Sequence, residues 1–259
     1  MCAVNIDLEG KKALIFGIAD NKSIAWHIAK KLDEAGCRIM AAYQERHHQT
    51  ALPLIKELKH NPIFERCDVT DNNLFEEFFK KVEQEFEKFD FIIHSIAFAK
   101  KEHLRGEFIK IDKEGYLLAH EVSSYSFSKI IRRSTEIIND GGSIIAMTYY
   151  GSEKVIPGYN IMGIAKSALE TSIKYSAYDL GRKNIRVNGI SAGPIETLAS
   201  SGISGFMDIM LNHIAKAPIK RKIKAEDVAD AALFLCSNLS KSITGEIIFV
   251  DGGYNIMGN

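Results

Sequence analysis

Tyr149, Tyr159 and Lys166 are the residues whose types and spacing point first to chemistry. Tyr149 follows an apolar run, and the other two bracket Tyr159-Asn160-Ile161-Met162-Gly163-Ile164-Ala165-Lys166. In a continuous helix, seven residues turn through about 700°, so both side chains return within ~20° of one face, ~10 Å apart. Such a pair can line one cleft. A phenol with a reference pKa of about 10 is a poor acid at neutral pH unless its anion is stabilised, and a neighbouring ammonium would do that. A lysine also carries three donors that can bridge sugar hydroxyls. A core tyrosine beside a solvated lysine would show the same spacing, so the spacing alone leaves both readings open.

Other candidate residues stand immediately after apolar runs. Gly17-Ile18-Ala19-Asp20-Asn21-Lys22-Ser23-Ile24-Ala25 allows a tight turn and a helix start whose free N–H groups suit a pyrophosphate, with Ser23 as the cap. It is not the G-x-G-x-x-G pattern, so a plain strand, turn and capped helix reads equally well. Asp68-Val69 and Ser95-Ile96-Ala97 occupy the same kind of position. Asp68 could accept an adenine amino group, and the small Ala97 would admit a close ligand, although an aspartate after a strand is also a common cap.

The elements that must position these residues are legible as alternating runs. Lys12–Phe16, Arg38–Tyr43, Ile63–Cys67, Phe91–Ser95, Ser143–Met147, Ile185–Ile190 and Ile247–Val250 read as seven short strands. Helical periodicity lies between them, over Ile24 to about Gly36 and over Asn73–Glu87. Short buried strands joined by crossover helices predict an α/β, doubly wound, parallel sheet in a single domain. Ligands of such sheets bind beyond the carboxyl ends of the strands.

Composition mainly excludes. The chain has 259 residues, 46% hydrophobic and 25% charged, enough to bury a large core without metal or disulfide. Lys plus Arg and Asp plus Glu both number 33, which argues against general nucleic-acid binding. No apolar run reaches the ~18 residues of a membrane span. The start Met-Cys-Ala-Val-Asn lacks the order of a signal peptide. Cys2, Cys37, Cys67 and Cys236 lie far apart, with no zinc spacing. The expectation is a reduced cytoplasmic protein with no metal and no membrane contact.

Tyr159-x6-Lys166, in place of the Tyr-x3-Lys of ordinary short-chain reductases, resembles the bacterial enoyl-acyl-carrier-protein reductases. The likeness runs from Leu8-Glu9-Gly10 to Asp251-Gly252-Gly253. It is most specific at His120-Glu121-Val122-Ser123-Ser124-Tyr125-Ser126, Ile156–Gly163 and Arg186–Pro194. The resemblance implies a Rossmann-like sheet of order 3-2-1-4-5-6-7 and reduction of the 2,3 double bond of an enoyl thioester on acyl carrier protein. A nicotinamide hydride would go to C3, with negative charge building on the thioester oxygen. Tyr159 would donate a hydrogen bond to that oxygen, Lys166 would hold the nicotinamide ribose, and Tyr149 would shape the acyl side. By the same likeness Gly17, Ala19, Ser23, Ile24, Gln44, Asp68, Val69, Ser95, Ile96, Ala97, Lys166, Ile195 and Thr197 touch the cofactor. Ala97, Tyr149, Tyr159, Ile203 and Phe206 would meet the substrate. The resemblance also implies a homotetramer.

Tyr43-Gln44-Glu45-Arg46-His47-His48 lacks both the acid that commonly grips the 2′-hydroxyl and the Arg-Lys pair of NADPH-preferring relatives. Gln44 and Glu45 favour NADH, while Arg46 and the histidines leave NADPH in play. By analogy, 196–217 would be a substrate lid, with Gly202 and Gly205 giving it freedom. Ile203, Phe206, Met207, Ile209, Met210, Leu211 and Ile214 would cover the acyl chain.

Three positions depart from the family pattern: Glu196 where Arg is usual, His27 where Gly is common, and Met207-Asp208 where some relatives carry basic residues. Docking of the acidic carrier would then fall to Lys216, Lys220, Arg221, Lys222 and Lys224. A carbonyl-reducing relative would need lysine at 163, where Gly163 stands. A catalytically idle dinucleotide-binding protein is the reading that Glu196 and His27 keep alive, against the intact Tyr149, Tyr159 and Lys166.

Overall fold

Buried on both faces, the apolar runs form one parallel sheet. The computed structural model describes residues 6–200, 203 and 205–258; Cys2 and Gly202 lie outside them. The first half of the chain runs β1 (Lys12–Phe16), α1 (Ile24–Glu34), β2 (Arg38–Tyr43), α2 (His48–Ile55), β3 (Ile63–Arg66), α3 (Asn72–Phe86) and β4 (Phe89–His94). There follow α4 (Lys113–His120), a π-helical turn over Glu121–Tyr125, α5 (Ser126–Ser134), β5 (Ile138–Thr148), α6 (Ile161–Leu180) and β6 (Arg186–Ala192). The last elements are α7 (Phe206–Lys216), α8 (Ala225–Cys236) and β7 (Ile247–Val250).

The sheet order is β3-β2-β1-β4-β5-β6-β7, as expected, and every pairing is parallel. Successive strand residues point to opposite faces. Ala13 and Ile15 of β1 join Ile93 and Ile145 under α1 and α8. Leu14 and Phe16 join Ile92 and Ile144 under α3, α5 and α6, where Phe75, Phe78, Phe79, Ile130, Leu169 and Ile173 pack. The order reverses between β1 and β4, which places the crevice of an open parallel sheet at their carboxyl ends. Among the described residues, no helix is long and apolar enough to cross a membrane.

Local details differ from expectation for identifiable reasons. β5 starts five residues earlier than expected, at Ile138, because a register shift between Phe89 and Phe91 lets it pair along all of β4. Ser23 precedes α1 but caps none of its N–H groups; its hydroxyl accepts from the Ala19 and Asp20 amides at 3.0 Å each. Tyr159 is not helical: α6 begins at Ile161, and Asn160 turns the chain at φ +37°. The premise of a continuous helix from Tyr159 to Lys166 is therefore wrong. The His27 ring does not press on the sheet. Its Nε2 donates to the Asn21 carbonyl at 3.1 Å and its Nδ1 faces Glu226 of α8 at 3.6 Å. Cys37, Cys67 and Cys236 are free and buried, and burial pushes the Cys67 and Cys236 thiols up to about 12.

Gly17 is the tightest point at the switch. It has φ +115°, and a Cβ there would run into the backbone carbonyl of Ser95. Strand β4 extends to that contact because the Ser95 amide donates to the Phe16 carbonyl at 3.0 Å. Gly17→Ala should therefore cost about 2 kcal/mol or more in urea unfolding. An unchanged unfolding midpoint would contradict this account of the turn.

Candidate active site

The end of β5 and the start of α6 bring the predicted catalytic residues together. Lys166 Nζ donates to the Met147 carbonyl at 2.7 Å. One residue on, the Thr148 hydroxyl donates to Glu170 Oε1 at 2.6 Å. Next, the Tyr149 ring meets the Tyr159 ring edge-on, with centroids 5.0 Å apart. Three consecutive residues, the last two of β5 and the one that follows, thus engage one helix and the turn before it.

Small residues make this approach possible. A Cβ on Gly151 would meet the Tyr159 ring at 2.5 Å, and one on Gly163 would meet the Gly151 carbonyl oxygen at 2.6 Å. Position 163 therefore has no room for the lysine that a carbonyl reductase would carry there. Tyr159 also packs with Leu104 and Met162, against which Ala99, Tyr149, Ile156 and Ile203 lie. The result is an apolar wall with a phenol set in it.

Burial dominates the protonation of the site. It pushes Tyr149 up to about 12 and Tyr159 further still, with Tyr149 and Glu170 adding to the rise on Tyr159. Burial pulls Lys166 down to about 8, opposed by Glu170. The expected stabilisation of a phenolate by the ammonium is thus not what the site provides. Tyr159 stays a neutral donor, and Lys166 is charged at neutral pH and loses its proton as pH rises through about 8.

The predicted cofactor residues lie along the strand ends. Gln44 Nε2 donates to Asp68 Oδ2 at 3.3 Å, and the Thr70 amide and hydroxyl donate to the other Asp68 oxygen. Burial pushes the Asp68 carboxyl up, but the Thr70 and Gln44 bonds and the Arg46 charge hold it below the usual range. Arg46 donates to Gln44 Oε1 at 2.7 Å and lies over the Phe98 ring. Glu45 is drawn aside by Arg66 at 3.3 Å. Thr197 and Ser200 close a small turn, the Thr197 amide donating to Ser200 Oγ at 2.8 Å. The reversed charge at Glu196 faces Lys22, 3.8 Å away across the mouth of the crevice.

Behind this crevice the π-helical turn holds the loop after β4. Ser123 Oγ accepts from the Phe98 amide at 3.0 Å. Ser126 gives its hydroxyl proton to the Val122 carbonyl, so His94 Nε2 must be the donor in its 2.8 Å contact with Ser126 Oγ. Burial holds His94 neutral, at about 3.

Two expectations near the lid need correction. Met210 of α7 is buried in the protein, while Met207 and Leu211 are exposed, so one helix face cannot present all the expected acyl contacts. Phe206 is not part of the apolar group around Tyr159, whereas Ile203 is. Arg221 is not a free docking cation, because both its terminal nitrogens bind Asp227, at 2.6 and 2.9 Å. The residues that sequence reasoning missed are Thr148, Glu170, Ser123 and Lys22. Of these Glu170 carried a spacing signal, four residues after Lys166 and on the same helix face, and Ser123 stood inside the motif 120–126 without a role.

Known proteins resemble the chain over nearly its whole length. The family model described as enoyl-(acyl carrier protein) reductase matches residues 17–255. The enoyl-[acyl-carrier-protein] reductase [NADH] FabI of Rickettsia typhi is 48% identical over 253 residues, 97% of each chain. Its counterpart in Bacillus subtilis is 44% identical over 98% of this chain and 99% of its own. The Bacillus cereus enoyl-acyl carrier protein reductase, solved with NADP+ and indole naphthyridinone, superposes with a TM-score of 0.95 at 39% identity, over 98% of this chain and 100% of that one. The Anaplasma phagocytophilum enzyme, solved with NAD, gives 0.93 at 41%, over 97% and 96%. The chain belongs to the enoyl-acyl-carrier-protein reductase family.

Proposed function

We propose that this chain reduces the 2,3 double bond of trans-2-enoyl thioesters carried on acyl carrier protein, the last step of each fatty-acid elongation cycle. NADH is the preferred reductant. The observation that carries the reading is the neutral phenol of Tyr159 set in an apolar wall, with the Lys166 ammonium at the adjoining strand end. A neutral donor suits an oxygen that gains charge only as the reaction proceeds, since preorganised hydrogen bonds stabilise the transition state most. Tyr149, edge-on to Tyr159, fixes that ring and bounds the acyl side together with Ile203. By the family likeness alone Ala97 and Phe206 would add to the acyl contacts, Phe206 from outside the apolar group around Tyr159.

The crevice residues fit a nicotinamide dinucleotide. At Gly17 any Cβ would fill the turn, and Ala19, Ser23 and Ile24 follow at the start of α1, where free amides suit a diphosphate. Gln44, Asp68 and Val69 would take the adenosine end, and Ser95, Ile96, Ala97, Ile195 and Thr197 the nicotinamide side. Lys166 would turn its remaining donors to the ribose. When bound, the reduced cofactor supplies the hydride that C3 takes up. In this reading 1–259 is one reductase domain with its lid at 196–217, working as a cytoplasmic homotetramer.

The preference for NADH rests on Gln44 and on the lack of a basic pair at the adenosine end; Arg46 is engaged by Gln44 and Phe98. kcat/KM should be higher with NADH than with NADPH, and a tenfold preference for NADPH would contradict the assignment. With either cofactor, Tyr159→Phe should lower kcat/KM for a dodecenoyl thioester by roughly 100-fold or more while leaving NADH binding intact. Full activity in that variant would overturn the role of the phenol. Docking of the acidic carrier falls to Lys216 and Lys222 with their neighbours Lys220 and Lys224. Charge reversal at Lys216 and Lys222 should raise KM for the carrier-bound substrate roughly fivefold and leave the coenzyme A analogue unaffected. Equal effects on both substrates would contradict this surface.

A further inference from the structure

The middle contact between β5 and α6 joins a buried hydroxyl to a carboxylate. Thr148 is 5% exposed, and its O–H donates to Glu170 at 2.6 Å, a charge-assisted bond that fixes where the carboxylate sits. Glu170 follows Lys166 by one helical turn, on the same face. An ammonium withdrawn from water needs an opposite charge or oriented dipoles nearby. The Met147 carbonyl supplies a dipole.

The other groups around Lys166 supply no charge. His94 of β4 is neutral, Tyr149 at the end of β5 is a protonated phenol, and so is Tyr159 in the turn before α6. Glu170 acts on both reactive side chains. It favours the cationic form of Lys166 and disfavours the anionic form of Tyr159. One negative charge therefore pushes both groups toward their protonated forms, as simple Coulomb interaction requires.

We propose that Glu170 is a positioning residue of this reductase: held by Thr148, its carboxylate keeps Lys166 an ammonium, the form that holds the ribose. The role rests on the enoyl reductase reading. A merely structural role would need only an acceptor for Thr148, and a glutamine amide oxygen provides one. Glu170→Gln thus separates charge from contact, while Thr148→Val removes the contact and leaves the charge.

The test follows Lys166 directly, by NMR titration of the full chain labelled with 13C at the lysine ε-carbons. Lys166→Arg assigns the signal, and a pH profile of kcat/KM with NADH accompanies it. In Glu170→Gln the Lys166 midpoint should fall by ~0.5 pH unit or more. The alkaline limb of the profile should move to lower pH with it, because a lysine without its anion loses the proton sooner. Thr148→Val should move both in the same direction by less. If Glu170→Gln does not accumulate folded, the Thr148→Val titration carries the test, and an unmoved midpoint there overturns the proposal. An unmoved midpoint in folded Glu170→Gln likewise overturns it. Failure of the unaltered chain to reduce enoyl thioesters would overturn the functional reading instead, and that is seen before any variant is made.

Discussion

A lysine ammonium buried at the end of a β-strand governs how this site is built. Lys166 lies 5% exposed with its Nζ on the Met147 carbonyl, and burial has already lowered its proton affinity. Keeping a cation there requires that α6 sit close against the end of β5, because the carbonyl and the Glu170 carboxylate lie on those two elements. That closeness in turn requires bare backbone at Gly151 and Gly163, where side chains would collide with the Tyr159 ring and with the Gly151 carbonyl. Once the two elements meet, Tyr159 has one place to go: edge-on to Tyr149 and against Leu104 and Met162.

The same physical demand shapes the far side of the crevice. The loop after β4 must approach Gly17 closely, yet it has no strand to hold it. The π-helical turn supplies that hold through Ser123 to Phe98, while Ser126, the first residue of α5, meets His94 at the end of β4. π-Helical turns occur often at functional sites because one widened turn releases backbone and side-chain groups for other partners. Here the released groups fix the loop. Surface charges are balanced locally: Lys22 with Glu196, Glu45 with Arg66 and Arg221 with Asp227. The unusual acid at Glu196 therefore reads as half of an ion pair across the crevice, and the unusual ring at His27 as a link from α1 to α8.

Much of the frame was legible before the structure because it follows from hydrophobic alternation. The seven strands came from apolar runs, since burial on both faces leaves a strong pattern, while their order was implied only by the family resemblance that the motifs around Tyr159 and Lys166 carry. What was not legible depends on contacts far apart in the chain. Nothing local says that Thr148 meets Glu170, that Ser123 holds Phe98, or that Arg221 is engaged by Asp227. The helix assumed to start at Tyr159 failed because the turn at Asn160 keeps an apolar sequence on both sides, so periodicity continues where the helix does not. Similarly, the apolar residues of α7 look alike in sequence, but only packing decides that Met210 faces inward and Leu211 outward.

The central claim is that Tyr159 and Lys166 organise hydride delivery to C3 of an enoyl thioester. It is tested most directly by reducing a trans-2-dodecenoyl thioester with NADH carrying deuterium at both C4 positions and locating the label in the acyl product by mass spectrometry and NMR. The account predicts one deuterium at C3 and solvent hydrogen at C2. An acyl product without deuterium at C3, or with the label at C2, would contradict it.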